Sequence, residues 1–98
     1  MDLNDRLKIE EMEEKYDSFK PRINALVEAI DDFQKHYEDY VKLREFYGSE
    51  DWFRLSEQTE NNLKCGVLSE DQLFDFIGEH NELVGQFLDM SSQMYRHL

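Results

Sequence analysis

The sequence predicts an all-α protein: a long N-terminal helix, a short connector helix, and a long C-terminal helix packed antiparallel as a helical hairpin or bundle. Three observations carry this. Ten consecutive heptad seam positions are apolar, spaced alternately three and four apart: Ile9, Met12, Tyr16, Phe19, Ile23, Leu26, Ile30, Phe33, Tyr37 and Tyr40. Breakers are scarce, with 4 glycines and 1 proline in 98 residues. Two glycine–serine strings, around Gly48-Ser49 and Gly66–Ser69, fall between the periodic stretches and read as stop, cap and restart. The length fits one helical domain over residues 1–98, with residues 1–20 as a candidate protruding arm.

The first helix is expected to start between Asp2 and Asp5, where acidic residues suit the positive helix end, and to run toward Phe46. Glu11–Lys15, Asp31–Lys35 and Glu38–Lys42 stand four apart, and each pair adds a few tenths of a kcal/mol at most (about 0.3). Pro21 leaves two readings open. A helix-interior proline costs about 3 kcal/mol and one hydrogen bond. Yet Pro21 occupies an outward heptad position and the seam keeps phase across it, which favours a kinked, continuous helix. In the other reading the helix breaks and Ser18 caps a new one, with Pro21 in its first turn.

The flanks of the seam change along its length. Glu13, Lys15, Lys20 and Arg22 border a narrow stripe of coiled-coil type. Val27, Ala29, Val41 and Leu43 widen it into a face suited to a globular core. The expectation is that the seam from Ile23 to Tyr40 builds the domain while Ile9 to Phe19 meets a partner helix.

Gly48 should end the first helix and Ser49 cap a second, from about Glu50 to Leu63, packed mainly through Trp52. Gly66 is expected as a left-handed cap after it. Ser69 then starts the third helix, with Gln72 at capping-box spacing and Leu68 placed to staple onto Leu73. That helix should reach nearly to the C-terminus. Its seam reads Leu73, Ile77, His80, Val84, Phe87, Ser91, Met94 and Leu98, and two further apolar stripes lie beside it. One antiparallel neighbour does not cover so wide a face. Gly78, Gly85 and Ser92 form a small-residue stripe that permits close helix approach, although helix glycines without a packing role are also common.

Formal net charge is −12 and no segment is a basic island. Nucleic-acid phosphates need clustered Lys and Arg, so direct nucleic-acid binding is not expected. The same field repels an anionic membrane surface. Acidic helix faces ordinarily serve solubility, and mimicry of nucleic acid toward a basic partner is the sharper alternative. The single Cys65 excludes an intrachain disulfide. The N-terminal string MDLNDRLKIEEMEEK has no apolar stretch of signal-peptide type, and a cytoplasmic location is expected.

Catalytic constellations are not visible. Carboxylates at helical spacing are unavoidable in so acidic a chain and do not by themselves make acid–base machinery. No histidine follows a glutamate by three residues, no HExxH or calcium-loop pattern occurs, and the lone Cys65 with scattered histidines is no zinc site. The expectation is no catalytic residue, no metal and no cofactor. His80 reads as a core or interface histidine; His36 and His97 look peripheral.

Two strings bear a family likeness: Tyr47-Gly48-Ser49-Glu50-Asp51-Trp52, and Leu63-Lys64-Cys65-Gly66-Val67-Leu68-Ser69-Glu70-Asp71. Following a long acidic helix that opens RLKIEEMEEKYD, they resemble a family of small bacterial proteins known as domain of unknown function 4298. The likeness covers nearly the whole chain, leaving aside Phe53 to Asn62 and the neighbourhood of Pro21. It implies a compact helical bacterial protein and brings no activity, cofactor or catalytic residue. Physically the strings are helix punctuation, and they also group Tyr47, Trp52, Cys65, Gly66 and Ser69 at one corner as a candidate binding surface.

The function expected is a non-enzymatic, acidic helical protein acting through protein–protein contacts. The surplus apolar surface points to a homodimer, through Ile9, Met12, Tyr16 and Phe19 and through the Gly78, Gly85, Ser92 stripe. An unknown protein partner is also expected. The alternative is an acidic inhibitor or nucleic-acid mimic on a basic partner, whose binding weakens steeply with salt. A third reading places a small ligand near Trp52 and Cys65.

Overall fold

The computed structural model describes residues 1–58 and 63–98. It contains α1 (Leu3–Phe46), α2 (Glu50–Ser56), a 3₁₀ turn (Gly66–Leu68) and α3 (Glu70–Tyr95), with no strand among the described residues. The protein is all-α, in the order long helix, short helix, long helix. No helix among the described residues is long and apolar enough to cross a membrane. The chain divides into two compact units, Met1–Glu38 and Asp39–Leu98.

The first unit is one helix from Leu3 onward. The Asp2 carboxylate accepts the Asp5 N–H at 2.8 Å, capping α1 at its positive end. The helix then runs unbroken through Pro21, so the alternative of a restart at Ser18 is not taken. Proline leaves the Asp17 carbonyl without its usual donor. Next to it, the Arg22 guanidinium folds back and donates to the Ser18 carbonyl (2.6 Å) and hydroxyl (2.9 Å), placing a charged donor where the ladder is weakest. Of the three pairs expected on this helix, Glu11–Lys15 closes at 3.8 Å and Asp31–Lys35 at 2.8 Å, both on exposed side chains. Exposed pairs of this kind contribute about 0.3–0.5 kcal/mol each. They do not offset a proline; covering the apolar seam would.

No residue of α1 is fully buried. The broad face expected to enter the core from Ile23 onward is a point of correction. Ile23, Leu26, Val27 and Phe33 are exposed, whereas Tyr40, Val41, Leu43 and Phe46 are half-buried. The reason is that the first unit holds a single helix, which has no second element of its own to cover a stripe.

In the second unit the last turns of α1 meet α3. The Tyr40 ring stacks on His80 at 3.8 Å and 7°, and touches Phe76 at 5.7 Å. Two turns on, the Tyr47 hydroxyl reaches the Glu70 carbonyl at 3.5 Å. Rising numbers on one helix pair with falling numbers on the other, so the two run antiparallel. His80 is therefore an aromatic-stacked, half-buried histidine with Asn81 Oδ1 3.0 Å from its Nδ1.

Gly48 has φ +80°, and this left-handed residue ends α1. It turns the Ser49 N–H onto the Phe46 carbonyl at 3.0 Å. Ser49 then caps α2, its hydroxyl accepting the Trp52 N–H at 3.1 Å. Space around Gly48 is open, so the penalty for a side chain is conformational alone. Gly48→Ala is expected to cost about 1–2 kcal/mol, read as a lower denaturation midpoint at unchanged slope.

α2 closes at Ser56, short of the Leu63 expected, and residues 59–62 of that expected helix lie outside the described residues. The Ser56 hydroxyl back-bonds to the Trp52 carbonyl, and the Gln58 N–H takes the Leu55 carbonyl at 2.9 Å in a tighter turn, so local bonds compete with helix continuation.

Gly66 also departs from expectation. It is not left-handed; it opens the 3₁₀ turn with ordinary backbone angles. The Ser69 N–H bonds the Gly66 carbonyl (3.0 Å), which leaves the capping box half closed: Ser69 Oγ accepts the Gln72 N–H at 3.2 Å, with no reciprocal demand on the Gln72 side chain. That side chain lies over Gly66 instead, its Oε1 2.2 Å from where a Cβ would sit. Because only the flexible end of Gln72 stands there, a side chain at position 66 would require that end to swing aside and nothing more. Trp52 and Leu73 are the two buried hydrophobic side chains among the described residues, so the core sits at this corner.

Candidate functional site

The corner is built by the two punctuation strings and their caps. Ser49 fixes the start of α2 and thereby points Trp52 inward, three residues on. The Trp52 indole N–H donates to the Val67 carbonyl at 3.0 Å, satisfying the polar edge of a ring that is 7% exposed. Tyr47 meets Trp52 edge-on, with ring centroids 5.1 Å apart. Its hydroxyl reaches the Glu70 carbonyl on the first turn of α3. Ser69 holds that turn, donating through Oγ to the Gly66 carbonyl at 2.8 Å while accepting the Gln72 N–H. The string 47–52 and the string 63–71 are thus bound to each other through Trp52–Val67 and Tyr47–Glu70.

The chain belongs to the family described as Domain of unknown function (DUF4298), whose model matches residues 9–90. Both strings lie inside the matched region of this DUF4298 chain, as does the seam from Ile9 onward. No curated protein matches it.

Cys65 is a half-buried free thiol at the edge of the corner. Its carbonyl accepts the Leu68 N–H at 2.9 Å, a backbone role that many residues fill. Among the described residues, no group of three His, Cys, Asp or Glu side chains is placed to hold a metal ion.

Beside the corner lies a cleft of about 420 Å³ lined by Tyr47, Trp52, Phe53, Glu70, Asp71 and Phe74. Sequence reasoning placed Tyr47 and Trp52 here and missed Phe53 and Phe74. Their signal was present: each is an aromatic residue off the buried stripe of its helix, directly after the residue that anchors that helix (Trp52 and Leu73). Phe53 is 61% exposed and Phe74 65%.

The other candidate residues lie away from this corner in sequence. Ile9, Met12, Tyr16 and Phe19, on the first unit, are between 42% and 61% exposed. Gly78, Gly85 and Ser92, on α3, face open space: nothing stands within 4 Å of a Cβ built on either glycine, and Ser92 is exposed. The second half of α3 adds Val84, Phe87, Leu88, Met90, Met94 and Tyr95 to the exposed apolar side chains.

Proposed function

We propose that this protein is a non-enzymatic, acidic helical module of the bacterial cytoplasm that works through protein–protein contacts as a homodimer. The observation that carries the reading is the uncovered seam on α1. A lone helix is marginal in water, and this one also contains a proline costing about 3 kcal/mol. Six seam residues from Ile9 to Leu26 each leave between 42% and 61% of their surface exposed. Covering the remainder would recover about half of the 1.5–3 kcal/mol available per residue, or roughly 5–9 kcal/mol per chain before entropy. A second copy of the same chain presents the same stripe, and an isologous interface uses that self-complementarity. The narrow apolar band with charged flanks from Ile9 to Phe19 suits a two-helix seam.

Sedimentation equilibrium at micromolar concentration tests the reading. A dimer mass is expected, and a strict monomer would overturn it.

The stripe of small residues on α3 supplies a second test whose sign is informative. In an exposed helix, replacing glycine by alanine gains up to about 1 kcal/mol per site. If the stripe stays open in the working protein, Gly78→Ala with Gly85→Ala therefore raises the melting temperature. If helices approach closely there, the added methyls push them apart and the double variant dissociates at higher protein concentration than the parent. The homodimer reading expects the second result, measured by dilution at constant temperature.

A further inference from the structure

The cleft at the corner has a composition that the core does not require. We infer that it is a binding site for an alkylammonium group, held by the rings of Tyr47, Phe53 and Phe74 over the buried Trp52 and neutralised by Glu70 and Asp71. Trp52 does structural work here: it is buried and its N–H is satisfied. Phe53 and Phe74 contribute little to any core, being 61% and 65% exposed. Phe53 and Phe74 stand beside Tyr47 and Trp52 along the cleft, an apolar group that shares its lining with two carboxylates. The rings do not collapse on one another face to face. Tyr47 meets Trp52 at 68° and Phe53 meets Trp52 at 81°, both edge-on contacts.

Charge fixes the class of occupant. The described lining carries two carboxylates and no basic side chain. Arg54, the cation of α2, is turned onto Asp51 at 3.1 Å, and Asp51 does not line the cleft. Glu70 and Asp71 also suit the positive end of α3, and that role alone would explain their presence. It does not explain why they share a cleft with three accessible aromatic rings. Ring faces and carboxylates together attract a cation with an apolar rim, and they repel anions. The chain's net charge of −12 steers cations toward it. The cleft, of about 420 Å³, is widely open to solvent, so it would take the head group against its rings and leave the rest of the ligand outside. The site lies within the second unit and does not depend on self-association.

Trp52 is the chain's one tryptophan, so its fluorescence reports on the cleft directly. Butyltrimethylammonium is titrated into the full chain at constant ionic strength, against the uncharged 3,3-dimethylbutanol. The expected result is a saturable change in Trp52 emission for the cation at millimolar concentration, about tenfold weaker for the neutral compound. Phe74→Ala, and separately Glu70→Gln with Asp71→Asn, should each weaken the cation about tenfold while helix content by circular dichroism is unchanged. A short peptide bearing trimethyllysine, compared with free butyltrimethylammonium, distinguishes a side chain of a partner from a free metabolite as the source of the group. Equal response to the neutral compound, or no saturable response in the parent protein, would overturn the proposal. So would full binding retained in both variants.

Discussion

If the proposed homodimer forms through the α1 seam, Phe19→Glu should take it apart into monomers. Phe19 lies in the middle of the exposed seam, one turn from Tyr16 and from Ile23, and is 61% exposed in the single chain. In a symmetric dimer the substitution acts twice. Each copy loses the burial of an aromatic ring and gains a carboxylate that has to be desolvated or splayed out, together about 1.5–3 kcal/mol. The doubled effect, roughly 3–6 kcal/mol, corresponds to a dissociation constant raised by about 10²–10⁴. Glu14 stands on the opposite, outward side of the same helix stretch, so Glu14→Gln is the control and should leave the constant unchanged. Sedimentation equilibrium of the three proteins over a concentration series reads all of this. If Phe19→Glu sediments as the parent does, the seam is not the interface.

Helix punctuation was the part of the fold most readable from the residues. The start of α1 at Asp2, its end before Gly48, and the caps Ser49 and Ser69 are local events, decided by side chains within three or four residues of the backbone groups they satisfy. Continuity through Pro21 was legible only as a balance, because the cost of a proline is local and the gain from an unbroken seam is not. Gly66 was misread for a related reason. A glycine before a cap reads as a left-handed turn, yet Gly66 keeps ordinary backbone angles and opens a 3₁₀ turn, a choice the local residues do not reveal. The end of α2 at Ser56 goes with a back-bond to Trp52 and a tighter turn at Gln58, local competitors that the apolar pattern does not reveal. The reach of the core was the largest departure. Periodicity marks which face of a helix is apolar and says nothing of whether a second element is there to cover it, as Ile23, Leu26 and Phe33 show.

The candidate site divides in the same way. Tyr47 and Trp52 stood out because their string is distinctive. The pairing of that string with 63–71 through Trp52–Val67 is a contact across 15 positions, and nothing local encodes it. Phe53 and Phe74 read in sequence as ordinary helix apolar residues. Only their joint exposure beside two carboxylates sets them apart.

Trp52→Ala should unfold the corner. Trp52 and Leu73 are the two buried hydrophobic side chains among the described residues, so no larger core shares the loss. Removing a buried tryptophan ring costs about 3–5 kcal/mol through lost transfer energy and the cavity left behind. The Val67 carbonyl loses its donor as well, and Tyr47 its ring contact. Against a stability of about 5–15 kcal/mol for a small domain, that is a large fraction. Trp52→Phe separates the two contributions. It keeps an aromatic ring against Tyr47 and gives up the bond to Val67, so a loss of about 1–2 kcal/mol is expected. Denaturant titrations followed by circular dichroism measure both, at one fixed protein concentration because the proposed self-association would couple stability to concentration. Amide exchange adds the location: the N–H groups of Leu68, Ser69 and Gln72, which close the 3₁₀ turn and cap α3, should lose protection in Trp52→Ala first. If Trp52→Ala costs under about 1 kcal/mol, the corner is not what holds α2 and α3 together, and the stability of this fold resides in the helix seams instead.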